Sequence, residues 1–143
     1  NVDIKEVVKD TKKAVDITEA KVLVSGGRGI GSPEFYQELK KVADLLGGEI
    51  SSSRANVDAG WIERDRQVGQ TGKTVRPELY MACGISGAIQ HIAGMENSEC
   101  VIAINKNDTA AIFEVSDLGI VGDVKVIIPK LVEALDKYKA ENN

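Results

Sequence analysis

Short segments that are apolar along most of their length constrain the fold of this chain more than any other feature. Val101–Ile104 is the clearest of them, and Lys21–Ser25 and Leu79–Cys83 have a similar character. Such strands belong in a sheet that is covered on both faces, because neither side of them favours contact with water. Segments with helical periodicity lie between them. The sequence therefore predicts an α/β domain with a doubly wound, mainly parallel sheet.

Capping signals place the helices between these strands. Ser32, followed by a proline, predicts the start of a helix that ends at Gly47-Gly48. Asp123 predicts the N-cap of a final helix that extends to about Ala140. The remaining predicted elements are strands over 49–52 and 100–105, short strands over 112–115 and 119–121, and a helix over 87–93.

The bulk composition bounds the class of protein. A length of 143 residues fits one domain, and the net charge of −4 argues against a nucleic-acid partner, which usually requires a clustered basic excess. No apolar run reaches the roughly 18 residues that cross a bilayer, and no secretory signal is visible. We therefore predict no membrane insertion and a cytoplasmic location. Cys83 and Cys100 lack metal-ligand spacing and are predicted to be buried, reduced thiols.

Residues 1–17 differ from the rest of the chain. Apolar and charged side chains alternate loosely over residues 2–8, and residues 9–13 form a polar run. This pattern is typical of an extended arm or an edge strand. We expect residues 1–17 to be an arm or a linker from a missing N-terminal domain, and residues 18–143 to form the folded domain.

Two glycine clusters imitate nucleotide-binding motifs without matching them. Gly26–Gly31 follows a strand and precedes a helix, as a dinucleotide fingerprint does, but its third glycine position is Ser32. Gly69–Lys73 imitates a phosphate-binding P-loop, but that motif needs a glycine where this chain has Gln67. Both clusters nevertheless allow the backbone to approach a ligand closely.

The polar candidates of this chain fall after the predicted strands. Ligands of a doubly wound sheet bind outside the carboxyl ends of its strands, so these residues should share one rim. A helix start at Gly87 would add free backbone N–H groups that suit a pyrophosphate. The candidates are Arg28, Ser53, Arg54, Ser86 to His91, Asn105 and Gly122-Asp123. This pattern predicts a site for a phosphate-bearing nucleotide or flavin.

Six sequence blocks, in the order of one family, resemble the C-terminal FAD-binding domain of the electron transfer flavoprotein alpha subunit. The resemblance extends from about residue 18 to the C-terminus. The blocks are Ser25-Gly26-Gly27-Arg28-Gly29, Ser53-Arg54-Ala55 with Asp58-Ala59-Gly60, Gln67-Val68-Gly69-Gln70-Thr71-Gly72-Lys73, Pro77-Glu78-Leu79-Tyr80, Gly84-Ile85-Ser86-Gly87-Ala88-Ile89-Gln90-His91-Ile92-Ala93-Gly94 and Ile104-Asn105-Lys106. The resemblance implies a Rossmann-like domain of the deoxyhypusine-synthase-like NAD/FAD-binding type.

The resemblance implies an electron carrier rather than a substrate-converting enzyme. The family holds FAD, accepts electrons from flavin dehydrogenases of the acyl-CoA type, as in fatty-acid β-oxidation, and commonly passes them toward a quinone reductase. A beta subunit is the implied partner and covers part of the flavin. An isolated domain is therefore expected to bind FAD weakly and to be able to self-associate. Membership of an electron-bifurcating complex stays open.

The resemblance also implies which residues hold the cofactor. Arg28 approaches the diphosphate, and Ser86 and Gln90 hold the phosphate and ribityl region. Asn105 and Asp123 meet the adenosine half. The full set of predicted cofactor-binding residues is Arg28, Ser53, Arg54, Gln67, Val68, Gly69, Gln70, Thr71, Gly84, Ser86, Gly87, Ala88, Gln90, His91, Asn105 and Asp123.

Three of these residues are predicted around the isoalloxazine ring. By resemblance Thr71 lies near flavin N5, Arg54 places a positive charge over the ring, and His91 contacts the pyrimidine carbonyl. A buried guanidinium and a donating histidine stabilise the negative charge that the first electron brings, which favours an anionic semiquinone. Thr71 would tune the protonation of N5 instead.

Other interpretations stay open at this stage. Without the family blocks, Arg54 is better explained by a salt bridge to Asp58 or Asp65, and a lone His91 by a place in the core. A different class of function is an ADP- or NAD-binding domain of a related doubly wound enzyme, such as the central domain of thiamine-diphosphate enzymes or deoxyhypusine synthase. A structural subunit with a vestigial site is a third. The tyrosines at 36 and 80 are expected to be packing residues only.

Overall fold

The centre of the domain is a sheet of five strands. The structure is a computed structural model that describes residues 16–70 and 72–141. The strands are β1 Val22–Gly26, β2 Glu49–Ser52, β3 Leu79–Cys83, β4 Val101–Asn105 and β5 Leu118–Val121. They lie in the order β2-β1-β3-β4-β5, and every neighbouring pair is parallel. The predicted doubly wound α/β fold is confirmed.

The α-helices of the described residues are α1 Tyr36–Leu46, α2 Arg54–Asp58, α3 Ile89–Met95 and α4 Val124–Glu141. A short 3₁₀ turn precedes α1, and Gly47 ends it with a left-handed φ of 74°. A carboxylate oxygen of Asp123 accepts a hydrogen bond from the Lys125 amide at 2.9 Å, so Asp123 caps α4 as predicted.

Apolar side chains cover the sheet on both faces. On one face α1 and α4 pack over Val24, Met81 and Ile104. On the other face the core contains Leu23 and Tyr80 of the sheet together with residues from the loops and α3, namely Val68, Val75, Ile85, Met95 and Ile112. Because both faces are closed to solvent, a ligand can reach the sheet only at its edges or ends.

Segment 112–115 is not the strand that its apolar residues predict. It is a 3₁₀ helix, Ala111–Val115. The edge of β4 is already paired by β5, so this segment folds over the sheet and buries Ile112, whose amide donates to the Ser86 carbonyl at 3.0 Å. The prediction failed because a short apolar run does not reveal which neighbour will bury it.

Smaller differences concern the third helix and the cysteines. The helix predicted to begin at Gly87 is α3, which begins at Ile89, because Gly87 still belongs to the preceding turn with a φ of 96°. Both cysteines are free thiols. Cys83 is buried, as predicted, but Cys100 is only half-buried because it precedes β4 at the end of the sheet.

Most of the predicted arm, residues 1–15, lies outside the described residues. The structure describes the last two residues of the predicted arm, and the second of them, Ile17, is completely buried in the core beside Leu23. The division of the chain at residue 17 stays a prediction. Among the described residues, no helix is long and apolar enough to span a membrane. The cytoplasmic location also stays a prediction.

Candidate functional site

A cavity of about 330 Å³ lies at the carboxyl ends of β1, β2 and β3. Its walls come from the turns that follow these strands, from the turn around Gly69 and from the first residues of α3. The lining residues are Gly27, Arg28, Ser53, Arg54, Ala55, Gln67, Val68, Gly69, Gln70, Gly84, Ile85, Ser86, Ala88, Gln90 and His91. This is the position at which doubly wound sheets bind nucleotides.

The turns after β1 and β3 pack backbone against backbone at the floor of the cavity. The Gly27 amide donates to the Cys83 carbonyl at 2.9 Å, and the Gly29 amide donates to the Gly84 carbonyl at 3.0 Å. A Cβ atom on Gly27 would lie 2.5 Å from the Gly84 carbonyl oxygen, and Gly84 itself has a φ of 69°. Glycine is therefore required here by close approach as well as by conformation.

The turn around Gly69 is fixed on top of α3. The Gln70 amide donates to the Gln90 carbonyl at 2.8 Å, and the Val68 amide donates to the Ser52 carbonyl at 2.9 Å. A Cβ atom on Gly94 would collide with the backbone of Gly69. These contacts carry Gln67–Gln70 from the end of β2 to α3, where they form one side of the cavity.

The turn after β2 is held by a buried polar cluster. Asn56 donates from Nδ2 to the Tyr36 hydroxyl at 2.9 Å, and that hydroxyl is 2.8 Å from the Ser52 hydroxyl. The Ser53 amide donates to the Gly26 carbonyl at 3.1 Å. Because this cluster joins α1, β1 and β2, it fixes the start of α2, from which Arg54 projects.

Arg54 lies at the mouth of the cavity and not in its interior. Its side chain is 64% exposed, and its Nε atom is 3.3 Å from a carboxylate oxygen of Asp58. The expectation that its guanidinium is buried is therefore wrong for this structure. The predicted alternative, a surface salt bridge to Asp58, is what the structure contains.

The charged residues in the cavity lining are Arg28 and Arg54, and both are exposed. No acidic residue contributes to the lining within the described part of the chain. The lining itself therefore carries positive charge, part of which Asp58 offsets through its contact with Arg54, although the chain as a whole has a net charge of −4. Two guanidinium groups beside close-packed glycine turns suit an anionic ligand such as a diphosphate.

His91 forms the buried side of the cavity. Its Nε2 atom is 2.7 Å from the hydroxyl of Tyr80, which is fully buried. Burial lowers the pKa of His91 to about 4, although the Val68 backbone opposes part of this effect. Burial also raises the pKa of the Tyr80 phenol well above its usual range. Both side chains are therefore neutral near pH 7.

The part of the chain that lines the cavity matches a known protein family. Residues 16–96 match the model of the electron transfer flavoprotein FAD-binding domain. The chain belongs to this family. The matched residues include the turns after β1, β2 and β3 and the helix α3, so all the lining residues of the cavity fall within the match.

Characterised relatives extend the similarity to most of the chain. Electron transfer flavoprotein subunit alpha of Thermoanaerobacterium thermosaccharolyticum is 58% identical over 95% of this chain and 41% of its own length. The subunit alpha of Clostridium acetobutylicum is 56% identical over 98% of this chain, and that of Bacillus subtilis is 52% identical over 91%. The chain spans about two fifths of the length of these relatives.

The structure brings most of the predicted site residues of this flavoprotein family together. Those that line the cavity are Arg28, Ser53, Arg54, Gln67, Val68, Gly69, Gln70, Gly84, Ser86, Ala88, Gln90 and His91. Thr71 lies outside the described residues. The sequence reasoning missed Gly27, Ala55 and Ile85, which also line the cavity. Each is adjacent in sequence to a predicted residue and lies in one of the motif blocks, so the blocks contained the signal.

Gly87, Asn105 and Asp123 are outside the lining. Gly87 packs closely against Ile112. Asn105 donates to the Ile85 carbonyl at 2.9 Å and accepts from the Asn107 amide at 2.8 Å, and Asp123 caps α4. These residues therefore shape the turns that surround the cavity.

Proposed function

We propose that this chain binds FAD in the cavity at the ends of β1, β2 and β3 and serves as the cofactor-holding part of an electron carrier. The observation that carries the proposal is a positive, glycine-floored cavity that lies entirely within the family match. FAD, when bound, supplies the capacity to accept and release electrons. The protein supplies the binding surface, the orientation of the cofactor and the charges around it.

The diphosphate of FAD fits the positive mouth of the cavity. Arg28 is exposed on the turn after β1 and follows Gly27, whose backbone packs against that of Gly84. We assign the diphosphate to Arg28, and the adjoining phosphate and ribityl groups to Ser86 and Gln90. Both of these polar side chains are exposed on the wall formed by the third turn and α3. Gln70 also lines the cavity and lies next to Gln90, since its amide donates to the Gln90 carbonyl.

Arg54 is the proposed cation for the isoalloxazine ring. Its salt bridge with Asp58 is solvent-exposed, and such pairs contribute only about 0.2–1 kcal/mol. The guanidinium is therefore free to exchange Asp58 for a bound flavin at little cost. A flavin gains negative charge when it is reduced, so a guanidinium beside it favours reduction.

Thr71 and His91 complete the proposed surroundings of the ring, with Thr71 near N5 and His91 beside the pyrimidine carbonyl. His91 is neutral and already hydrogen-bonded to Tyr80, so it contributes a polar wall and no positive charge. Asn105 and Asp123 are proposed to support the adenosine half by fixing its surrounding turns, since their side chains already bond within those turns.

The larger assembly is also a proposal. Residues 18–143 would be the FAD-binding domain of a longer protein, because the chain spans about two fifths of its relatives. The name subunit alpha of those relatives points to a beta subunit as partner. Acyl-CoA dehydrogenase-type flavoenzymes are the proposed electron donors. Participation in electron bifurcation would require a second flavin that the beta subunit supplies.

Equilibrium dialysis of the chain against FAD, NAD and ADP tests the proposal. We expect FAD to bind at least about tenfold more tightly than NAD or ADP, because only FAD contacts both the mouth and the His91 side of the cavity. Equal affinities for the three ligands would mean that the cavity recognises only an adenosine diphosphate, and would overturn the assignment of FAD.

Substitution of Gln90 locates the ligand within the cavity. Gln90→Ala should weaken FAD binding about fivefold, the effect of losing one hydrogen bond of about 1 kcal/mol. Gln37→Ala is the matched control, because Gln37 is an exposed glutamine on α1 outside the cavity lining. If the two variants bind FAD equally well, Gln90 is not a cofactor ligand.

A further inference from the structure

The hydrogen bond between Tyr80 and His91 joins β3 to α3 and is not visible in the motif blocks of the sequence. Tyr80 is on β3 and His91 is on α3, and the Tyr80 hydroxyl is 2.7 Å from His91 Nε2. Tyr80 is completely buried and His91 is 6% exposed. A neutral imidazole has one nitrogen that donates and one that accepts, so the direction of this bond decides where the proton of His91 resides.

We propose that Tyr80 is a positioning residue that donates its hydroxyl hydrogen to Nε2 and thereby holds His91 in the Nδ1–H tautomer. A phenol is a stronger acid than a neutral imidazole N–H, and an imidazole nitrogen is a stronger base than a phenol oxygen. The short bond is therefore more favourable with the Tyr80 hydroxyl as donor and His91 Nε2 as acceptor than in the opposite direction.

The surroundings of Tyr80 favour the same direction. The hydroxyls of Ser25 and Ser51 are fully buried and have no hydrogen-bond partner of good geometry among the described residues. Each can donate to the phenol oxygen, and each opposes part of the rise that burial causes in the pKa of Tyr80. His91 Nε2, at 2.7 Å, is the partner of good geometry to which the Tyr80 hydroxyl can give its hydrogen.

The surroundings of Nδ1 complete the argument. Nδ1 is buried and has no hydrogen-bond partner among the described residues. The Val68 backbone opposes part of the fall that burial causes in the pKa of His91, as an acceptor near a ring N–H would. Because the Tyr80 hydroxyl engages Nε2, Nδ1 is the ring nitrogen that is left to carry the hydrogen.

The assignment deepens the proposed function, and only its consequence for the flavin rests on that proposal. In this tautomer Nε2 has no hydrogen to give and its lone pair is engaged by Tyr80, so a flavin carbonyl could accept only from Nδ1. Tyr80 therefore decides which ring nitrogen of His91 is the donor. The tautomer itself is a property of the ligand-free chain.

Nitrogen-15 NMR of the ligand-free chain tests the assignment, since His91 is the only histidine in the sequence. At neutral pH we expect Nδ1 to have the chemical shift of a protonated ring nitrogen and Nε2 that of an unprotonated one. The expected excess of this tautomer is at least about tenfold. Free histidine in water favours the opposite tautomer, so a protonated Nε2 in the parent chain would overturn the proposal.

A pair of tyrosine variants isolates the role of the hydroxyl. Tyr80→Phe should bring the two nitrogen shifts closer together, because neither tautomer is then selected by the phenol. Tyr36→Phe is the matched control, since Tyr36 is also buried and its hydroxyl bonds with Ser52 and Asn56. It should leave the His91 spectrum unchanged. If Tyr80→Phe leaves the shifts at their parent values, the proposal is wrong.

The parent spectrum decides the tautomer even if Tyr80→Phe does not fold. None of these samples contains FAD, so a failure of the chain to bind FAD leaves the result intact. Conversely, tight FAD binding together with a protonated Nε2 in the ligand-free chain would support the proposed function and refute this inference.

Discussion

The inner wall and the mouth of the cavity are built by different means. The wall consists of the glycine floor and the Tyr80–His91 pair, which are buried and held by short contacts to the sheet. The mouth consists of Arg28 and Arg54, whose charged side chains are exposed. Packing and hydrogen bonds therefore fix the wall, whereas, among the described residues, the charges at the mouth are held by no more than an exposed salt bridge.

The largest expected effect is at the glycine floor. Gly84→Ala should destabilise the chain by about 2–5 kcal/mol, because alanine is strained at a φ of 69° and its Cβ would lie 2.7 Å from Gly29 Cα. Gly47→Ala is the control, since Gly47 has a φ of 74° but open space around it. It should cost only about 1–2 kcal/mol. Urea unfolding of both variants gives the comparison, and equal losses would show that the floor is not closely packed.

The buried wall should also make stability depend on pH. The pKa of His91 is about 4 in the folded chain and 6.5 when exposed. The unfolded chain therefore binds a proton that the folded chain does not, and stability present above pH 6.5 is lost as the pH falls toward 4. The loss amounts to about 3 kcal/mol.

Urea unfolding from pH 4 to 7 measures this dependence. His91→Asn removes the titrating group, so the difference between the two curves isolates it from the acidic residues. If the unfolding free energies of the parent and the variant change with pH in parallel, His91 is not buried and neutral, and the wall is no more preformed than the mouth.

The mouth should respond through bound FAD and not through stability. Arg54→Ala should change the free energy of unfolding by less than about 0.5 kcal/mol, because its salt bridge is exposed. With FAD bound, it should lower the potential of the first electron by about 60 mV, the equivalent of about 1.4 kcal/mol.

A redox titration of Arg54→Ala beside Arg76→Ala provides the measurement. Arg76 is an exposed arginine that precedes β3 and is not part of the cavity lining. If both variants retain the parent potential, the positive mouth does not face the flavin ring.

The smallest effect is expected at Asp123. Asp123→Ala removes the cap of α4 and should cost about 1 kcal/mol in urea unfolding. Its FAD dissociation constant should equal that of the parent, because the carboxylate is used by the Lys125 amide. A large loss of affinity without loss of stability would instead make Asp123 a direct ligand of the adenosine half.

The sequence predicted the sheet and most of the cavity lining because both depend on local signals. The apolar strands, the cap at Asp123 and the glycine turns are each recognised from a few consecutive residues. Parallel strands then bring the turns that follow them to one rim. The sequence did not predict the 3₁₀ helix at 111–115, because its conformation depends on β5 occupying the edge of β4. That is information from a distant part of the chain.

Local signals also failed to reveal the roles of two side chains. Tyr80 was expected to be a packing residue, yet its hydroxyl meets His91, because the length of a tyrosine carries its oxygen from β3 to the start of α3. Arg54 was expected to be buried, yet it is exposed, because α2 begins at the surface of the domain. In both cases the burial of a polar atom depends on elements that are not adjacent in sequence.

The class of fold, the family and the rim at which the site lies follow from patterns within single segments of the sequence. The folded chain was needed to show which of the predicted residues share a wall, that the cations lie at the mouth, and that His91 is neutral beside Tyr80. This is because desolvation and hydrogen-bond direction depend on every group around an atom, and these groups come from strands, turns and helices that the chain brings together only when it folds.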